Sequence, residues 1–246
     1  MQGFACLPPE IRTEIVKQVL DHWVVGGDSE AVAPYATVCR EWQSIIERYT
    51  FSNLKISLRR IPQFAQLVTH NRRRCLRRIH LHVELPEYLN DPCEERETWV
   101  DKVENNRLFT STLGDLFACL HEWDEDEVAD EGIHLYLSMS SESDLRNTSL
   151  ELWQRRRWNL KDIGERRFAE SNVDFLGQDE ESQRHCALKP VYVITSFETC
   201  QLIRRSIVPA AYSDIIAKLP RVRKVVLEIL KDRLLTVRRA FFNREY

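Results

Sequence analysis

The feature that most constrains the fold of this chain is a spacing of apolar residues that returns several times along it. The order apolar-x-x-apolar-x-apolar-x-apolar occurs in FSNLKISL (51–58), in LRRIHLHV (76–83) and far downstream in VRKVVLEI (222–229). A partial copy lies in GIHLYLSM (132–139). Because alternation with a period of two is typical of strands that bury one face, we predict that all four segments are β-strands.

Segments with helical spacing lie between these strands. They are IPQFAQLVTHN (61–71), NRLFTSTLGDLFACLHEW (106–123) and PAAYSDIIAKLP (209–220). Strands that alternate with helices indicate parallel pairing. The return of one strand pattern is typical of a curved, repeat-like array. The predicted fold class is therefore α/β, with repeats of irregular length.

Two polar stretches interrupt this alternation. The acidic run EWDEDEVADE (122–131) is predicted to be a solvated loop ahead of a strand. Residues 141–189 are polar and highly charged, and they include SSESDLRNTS and GQDEESQRH. We predict that they form a partly flexible insertion, with one amphipathic helix near residues 150–158.

Two amphipathic helices are predicted at the front of the chain. The first follows from LPPEIRTEIVKQVL (7–20), because proline fits the first turn of a helix. The second lies within PYATVCREWQSIIERYTF (34–51), where apolar residues again recur at intervals of three and four. Two such helices bury too little surface to close a large core. Their apolar stripes therefore need a partner surface, either in this chain or on another protein.

Taken together, these two segments resemble the F-box, a motif of two halves near an N-terminus. The first half is matched by Leu7, Pro8, Glu10, Ile11, Ile15 and Val16, and the second by Val38, Cys39, Arg40 and Trp42. The whole layout is similar to that of F-box proteins abundant in filamentous fungi. The resemblance implies a three-helix F-box at 1–53 and an irregular leucine-rich-repeat-like strand-helix array at 54–246. The link at 24–35 departs from the family, since it carries GGDSE in place of a short leucine-containing connection.

The resemblance also implies a function. An F-box protein is the substrate-recognition adaptor of an SCF-type cullin-RING ubiquitin ligase: it docks on the Skp adaptor, and through it on a cullin, and it holds a protein substrate. Such a protein is not an enzyme itself, because it contributes proximity and no chemistry. The matching positions for Skp-adaptor binding are Leu7, Pro8, Ile11, Ile15, Val16, Val38 and Trp42.

Two surfaces are candidates for substrate binding. In the repeat-like strands, the residues between the buried ones face outward together, and these are Lys55, Ser57, His80, His82, His134, Tyr136, Val226 and Glu228. The second candidate is the cluster WQRRRW in the polar insertion, where tryptophans bracket arginines: Trp153, Arg155, Arg156, Arg157 and Trp158. We interpret this cluster as a site for an acidic protein partner. The arginine-rich segment 72–78 is interpreted as a solvated helix end.

Composition and motifs exclude several other classes. The formal net charge of -3 gives no overall attraction to nucleic acid or to an anionic membrane. The seven cysteines include no CxxC pair, which indicates reduced thiols. There is no glycine-rich phosphate loop, GxSxG or HExxH, so neither catalysis nor a cofactor or metal is expected. No apolar run reaches membrane-spanning length, so we expect a cytoplasmic or nuclear protein.

One alternative stays open. The arginine clusters at 72–78 and 155–157 are also compatible with an F-box-containing scaffold or a nucleic-acid-associated protein that acts outside any ubiquitin ligase.

Overall fold

The structure is a computed structural model that describes residues 6–25, 30–88, 97–146, 171–176, 188–199 and 205–227. It describes the backbone alone at 21–25, 30–33 and 145–146. The α-helices in these ranges are α1 (Pro9–Val25), α2 (Arg40–Thr50), α3 (Ile61–Leu67), α4 (His70–Arg73), α5 (Trp99–His121), α6 (Glu142–Arg146) and α7 (Pro209–Ala217). Short 3-10 helices lie at Glu30–Thr37, Leu58–Arg60 and Glu125–Glu127.

The strands form one larger and one smaller parallel sheet. The strands are β1 (Asn53–Ile56), β2 (Arg78–Leu85), β3 (Ile133–Ser141), β4 (Asn172–Val173), β5 (Ile194–Thr199), β6 (Ser206–Ile207) and β7 (Lys224–Val226). The larger sheet has the order β1-β2-β3-β5-β7, and β4 pairs with β6. All of these pairs are parallel. The prediction of a mixed α/β fold with parallel pairing is confirmed; its assignment to a leucine-rich-repeat type stays a prediction.

All four predicted strand segments form strands of the larger sheet, in chain order. Crossovers between parallel strands are almost always right-handed, and a sheet whose order follows the chain therefore collects its connecting helices on one face. The buried strand residues, such as Leu81 and Leu135, form one hydrophobic cluster with Phe64 of α3, Phe117 of α5 and Ile215 of α7. The strand residues in between, on the other face, are polar except for Val226 of β7, which pairs with Glu198 and was also predicted to face outward.

The prediction missed one strand of the larger sheet and both strands of the smaller sheet, and it placed one helix boundary too late. Strand β5 lies between β3 and β7, although the sequence pattern had suggested no strand there. Helix α5 begins at Trp99, seven residues before the predicted segment. Its start is fixed by a capping box, in which Thr98 Oγ1 accepts from the Asp101 amide at 3.1 Å and Asp101 Oδ2 accepts from the Thr98 amide at 3.0 Å.

Parts of the segment predicted as a polar insertion belong to the core. Val173 and Phe175 are buried, and the Phe175 ring lies 5.1 Å from the ring of Phe109 on α5. The amide of Asp174 donates to Asn106 Oδ1 at 3.0 Å, which ties this segment to the same helix. The insertion prediction is therefore wrong for residues 171–176, because apolar residues there complete the packing of α5. The predicted helix near 150–158 lies outside the described residues.

The acidic run is anchored at two points and is not a plain solvated loop. Trp123 and Val128 are buried, and the Trp123 ring stacks on Phe64 with 5.5 Å between centroids. Between them, Glu127 forms ion pairs with His70 and Arg73 of α4. The side chains of residues 124–126 are exposed, as predicted.

Gly132 ends this run in a left-handed conformation, with φ +72°. A Cβ atom there would overlap the side chain of Thr195, whose hydroxyl is fixed by donating to the Glu131 carbonyl at 2.6 Å. We expect Gly132→Ala to lower the free energy of unfolding by about 2–4 kcal/mol, from backbone strain and overpacking together. Gly114→Ala is the control, since nothing lies within 4 Å of its Cβ position in α5, and it should stabilise by about 0.5–1 kcal/mol. Denaturant unfolding of both variants measures this, and equal effects would contradict it.

Candidate functional site: an apolar helical surface and a polar sheet

A small helical unit, defined as residues 9–50, precedes the sheet. Its buried core consists of Val16 and Leu20 from α1 and Ile46 from α2. Trp42 packs against this core, and its ring lies 6.2 Å from that of Tyr35. At the surface, Arg12 and Glu41 join the two helices by an ion pair of 3.3 Å. Among the side chains that the structure describes, these three form the whole buried core, and Ile11, Ile15 and Val19 of α1 remain at least partly exposed.

The structure divides the predicted Skp-binding residues into three groups. Val16 is 0% exposed, so its side chain cannot contact a partner and its inclusion in the docking set is corrected to internal packing. Ile11 is 48% exposed and Val38 is 58% exposed, and Pro8 is also exposed. Leu7, Ile15 and Trp42 are half-buried. Ile11 and Val38 are therefore the large aliphatic residues of this set that the helical unit leaves exposed.

The predicted strand residues share the polar sheet face, defined here as Lys55, His80, His82, His134 and Tyr136. Lys55 pairs in register with His80, and His80 pairs with Tyr136. The rings of His80 and Tyr136 meet edge to face at 4.8 Å. Ser57, which was predicted to face outward with them, is buried where the chain turns after β1.

Ser138 joins two of the histidines. Its hydroxyl oxygen lies 2.6 Å from His80 Nε2 and 2.8 Å from His82 Nδ1. Since a hydroxyl has a single proton, it donates to one imidazole and accepts an N–H from the other when both rings are neutral. On β3 itself, His134 Nε2 lies 3.1 Å from Oε2 of Glu198 on the neighbouring strand β5. The sequence did not indicate Ser138 or Glu198, because each reaches the histidines only through strand pairing.

Burial keeps the histidines of this face neutral at physiological pH. It lowers the pKa of His80 to about 4, with smaller contributions from the charges of Lys55 and His82. Burial also lowers the pKa of His82. It lowers the pKa of His134 as well, because its effect is larger than the opposing effect of the Glu198 charge. The face therefore offers uncharged hydrogen-bonding groups between the cations Lys55 and Lys224.

These lowered pKa values predict acid sensitivity. A histidine whose pKa falls on folding binds fewer protons in the native state than in the unfolded state, so stability is complete above pH 6.5 and is lost as pH falls toward 4. We expect His80→Gln/His82→Gln to flatten this dependence of the unfolding free energy. Urea unfolding at several pH values between these limits measures it, and parallel curves for the two proteins would refute the assignment.

A groove at the carboxyl edge of β1, β2 and β3, called here the edge groove, was not indicated by the sequence. It has a volume of about 810 Å³. Its basic and acidic lining residues are Lys55, Arg59, Arg60, Arg107, His82, Glu84, Glu87, Glu104 and Glu142. These residues come from the ends of β1 and β2, from the segments that follow β1, β2 and β3, and from α5, so only the fold brings them together. The carboxyl edge of parallel strands is the common place for binding sites in open α/β sheets.

A buried ionic cluster closes the same edge. Arg205 Nη1 lies 2.8 Å from Asp144 Oδ2, and Arg205 Nε lies 3.3 Å from Glu97 Oε1. Tyr88 donates its hydroxyl to Asp144 at 2.8 Å, and Asn105 donates to Glu97 at 2.5 Å. The cluster connects segments that follow β2, β3 and β5, and it thereby fixes the rim next to the edge groove.

The second predicted substrate site, Trp153, Arg155, Arg156, Arg157 and Trp158, lies outside the described residues, as does Glu228. In the part of the chain that the structure describes, no three His, Cys, Asp or Glu side chains are grouped so that they could hold a metal ion. No helix in the described ranges combines the length and the apolar character needed to cross a membrane.

The described residues define a mixed α/β protein with a parallel sheet, to which a small helical unit is joined. No protein-family model matches the chain, and no curated protein or solved structure matches it either. Function must therefore be argued from the surfaces of this chain.

Proposed function

We propose that this chain is the substrate-recognition adaptor of an SCF-type cullin-RING ubiquitin ligase, acting in the cytoplasm or nucleus. In this proposal the helical unit binds the Skp adaptor, and through it a cullin, while the α/β region holds a protein substrate. The observation that carries the proposal is the exposure of Ile11 and Val38, at 48% and 58%, on a unit in which three of the described side chains form the buried core.

The helical unit leaves large aliphatic side chains exposed to solvent. Apolar burial contributes about 25 cal/mol per Å², so a large aliphatic side chain left exposed forgoes stability that a partner surface could restore. Leu7, Ile15 and Trp42 are half-buried, and they would extend the contact. An exposed group of this kind is typical of a protein-binding surface. Pro8, directly ahead of α1, fixes where the helix starts and therefore which residues face outward.

The α/β region offers two surfaces for a substrate. The polar sheet face presents neutral imidazoles and the Tyr136 ring, and the edge groove carries charges of both signs. A groove of mixed charge suits a polypeptide, because it can pair with acidic and basic side chains of one segment. The chain itself performs no chemistry in this proposal; it raises the concentration of substrate near the ligase.

The alternative is an F-box-containing scaffold or a nucleic-acid-associated protein outside a ligase. Exposed arginines without an ion pair to any described residue favour it, and Arg59 and Arg60 at the edge groove are two of them.

The two functions differ in whether the chain is bound to a cullin through the Skp adaptor. The tagged full chain is purified from cells and the recovered Skp adaptor and cullin are quantified. An adaptor of a ligase recovers both, in a ratio that salt changes little. Recovery of the Skp adaptor without a cullin would favour the scaffold, and recovery of neither would refute both the ligase adaptor and the F-box scaffold.

A further inference from the structure

The arginines of segment 72–78 differ in whether they form an ion pair with a carboxylate. Arg72 Nη2 lies 2.7 Å from Glu47 Oε1, and its guanidinium stacks over Phe51 at 4.6 Å. Arg73 forms an ion pair with Glu127, and its guanidinium lies 4.6 Å from the centroid of Trp123. These two arginines hold the helical unit and the acidic run against α4. Because their charges are paired, Arg72 and Arg73 have a structural role.

Arg74 and Arg77 are exposed and form no ion pair with any residue that the structure describes. Arg77 Nη1 donates to the carbonyl of Arg74 at 3.1 Å, and the Arg77 amide donates to the carbonyl of Ser52 at 2.9 Å. The backbone at Arg77 is therefore held in place. Arg48, on α2, approaches from the helical unit and likewise has no carboxylate partner among the described residues.

These three arginines line one cavity of about 530 Å³, called here the arginine pocket. Its other polar lining residues are Ser44, Ser52 and Asn71. None of the described residues that line it carries a carboxylate or an aromatic ring. Three guanidinium groups that face one cavity without a counter-charge repel one another, and an anion bound among them would relieve that repulsion.

We propose that the arginine pocket binds a phosphate monoester. Such a group carries a charge of about -1.5 to -2 at neutral pH and three acceptor oxygens, which match several guanidinium forks together with hydroxyl and amide donors. A phosphate monoester can come from two sources: a phosphorylated side chain of another protein or a small phosphorylated molecule. A single-stranded nucleic acid fits less well, because proteins that bind it use aromatic rings to stack its bases.

The pocket lies between α2 of the helical unit and the segment that leads from α4 into β2, so its ligand contacts both parts of the chain. A ligand that binds only the folded state stabilises it in proportion to its occupancy. Phosphate is therefore expected to raise the unfolding temperature of the chain. This inference does not depend on the Skp adaptor or on a ubiquitin ligase.

The test compares the full chain with two double variants of equal charge change. Arg74→Gln/Arg77→Gln removes two pocket arginines and keeps the side-chain length. Arg40→Gln/Arg223→Gln is the matched control, since both residues are exposed and neither lines the arginine pocket or the edge groove. Thermal unfolding is followed with inorganic phosphate against chloride of equal ionic strength. Affinity is measured by calorimetry with a phosphoserine peptide, its unphosphorylated form and a short single-stranded oligonucleotide.

We expect phosphate to stabilise the wild-type chain and the Arg40→Gln/Arg223→Gln control, and not Arg74→Gln/Arg77→Gln. The dissociation constant of the phosphoserine peptide should rise about tenfold or more in the pocket variant, since charge-assisted hydrogen bonds are lost, and less than about twofold in the control. A peptide that binds more tightly than inorganic phosphate indicates a protein-borne ligand, and equal binding indicates a small phosphorylated molecule.

Three results would overturn the proposal. The first is no stabilisation of the wild-type chain by phosphate together with no affinity for the phosphoserine peptide. The second is an equal response of the two double variants. The third is an oligonucleotide that binds more tightly than the phosphoserine peptide and loses its affinity in the pocket variant, which would assign the site to nucleic acid.

Discussion

Aspartate at Ile11 or at Val38 is expected to abolish binding of the Skp adaptor while the chain stays folded. Truncating a buried interface anchor typically costs about 2–4 kcal/mol, and a carboxylate desolvated in its place adds to the loss. Because both side chains are about half exposed or more, at 48% and 58%, a charge there does not enter the core of the helical unit. The dissociation constant should therefore rise by more than a hundredfold, or about 3 kcal/mol.

The control for these variants is Ser44→Asp. Ser44 is exposed on α2 and lines the arginine pocket, so the substitution adds the same charge to the same unit without removing an apolar side chain. It should leave the affinity for the Skp adaptor within about threefold of the original, as expected of a residue outside an interface. Far-ultraviolet circular dichroism and the unfolding temperature verify that all three variants fold. Equal losses in all three would point to a general charge effect and against the docking surface.

Arg205→Ala is expected to produce the largest loss of stability. Arg205 is 2% exposed, and it neutralises Glu97 and Asp144, which are also buried. Its removal leaves two carboxylates without their cation at the rim of the sheet. Breaking a buried ion pair on one side costs about 3–5 kcal/mol, because the remaining charge is neither paired nor solvated. Denaturant unfolding measures the change.

An exposed ion pair of the same length supplies the control for Arg205. Arg221 Nη1 lies 2.8 Å from Glu125 Oε2, the same distance as from Arg205 Nη1 to Asp144 Oδ2. Since water solvates both partners after substitution, Arg221→Ala should cost only about 0–1 kcal/mol. Arg205→Met, which fills the space with an apolar chain, should remain strongly destabilising. If it restored full stability, packing and not charge would be the contribution of Arg205.

The strands with strict alternation were predictable because one face of the sheet is buried along its whole length. In β2 the sequence alternates without exception from Ile79 to Leu85, and the burial alternates with it. β5 escaped prediction because Val193 and Ile194 are adjacent and both buried, which breaks the period of two. The register between β3 and β5 shifts at the same point, between Ile133 and His134. Because the strand pairing is irregular here, the spacing of apolar residues does not reveal this strand.

The sites were predictable only as sets of candidates. A helical stripe shows which residues are apolar, but the position of α2 decides that Val16 is enclosed and Ile11 is left outside. In the same way, the arginine-rich segment reads as one cluster in sequence. Its division depends on Glu47 and Glu127, which lie 25 and 54 positions from the arginines they pair with. Long-range contacts of this kind are set by the fold and leave no local signal.

The most direct test of the docking proposal is a calorimetric titration of the purified full chain with recombinant Skp adaptor. We predict one-to-one binding with a dissociation constant of about 1 μM or below and a negative heat-capacity change, since apolar surface around Ile11 and Val38 is buried. A folded chain that gives no binding heat at several temperatures, and whose Ile11→Asp variant behaves identically, would contradict the account.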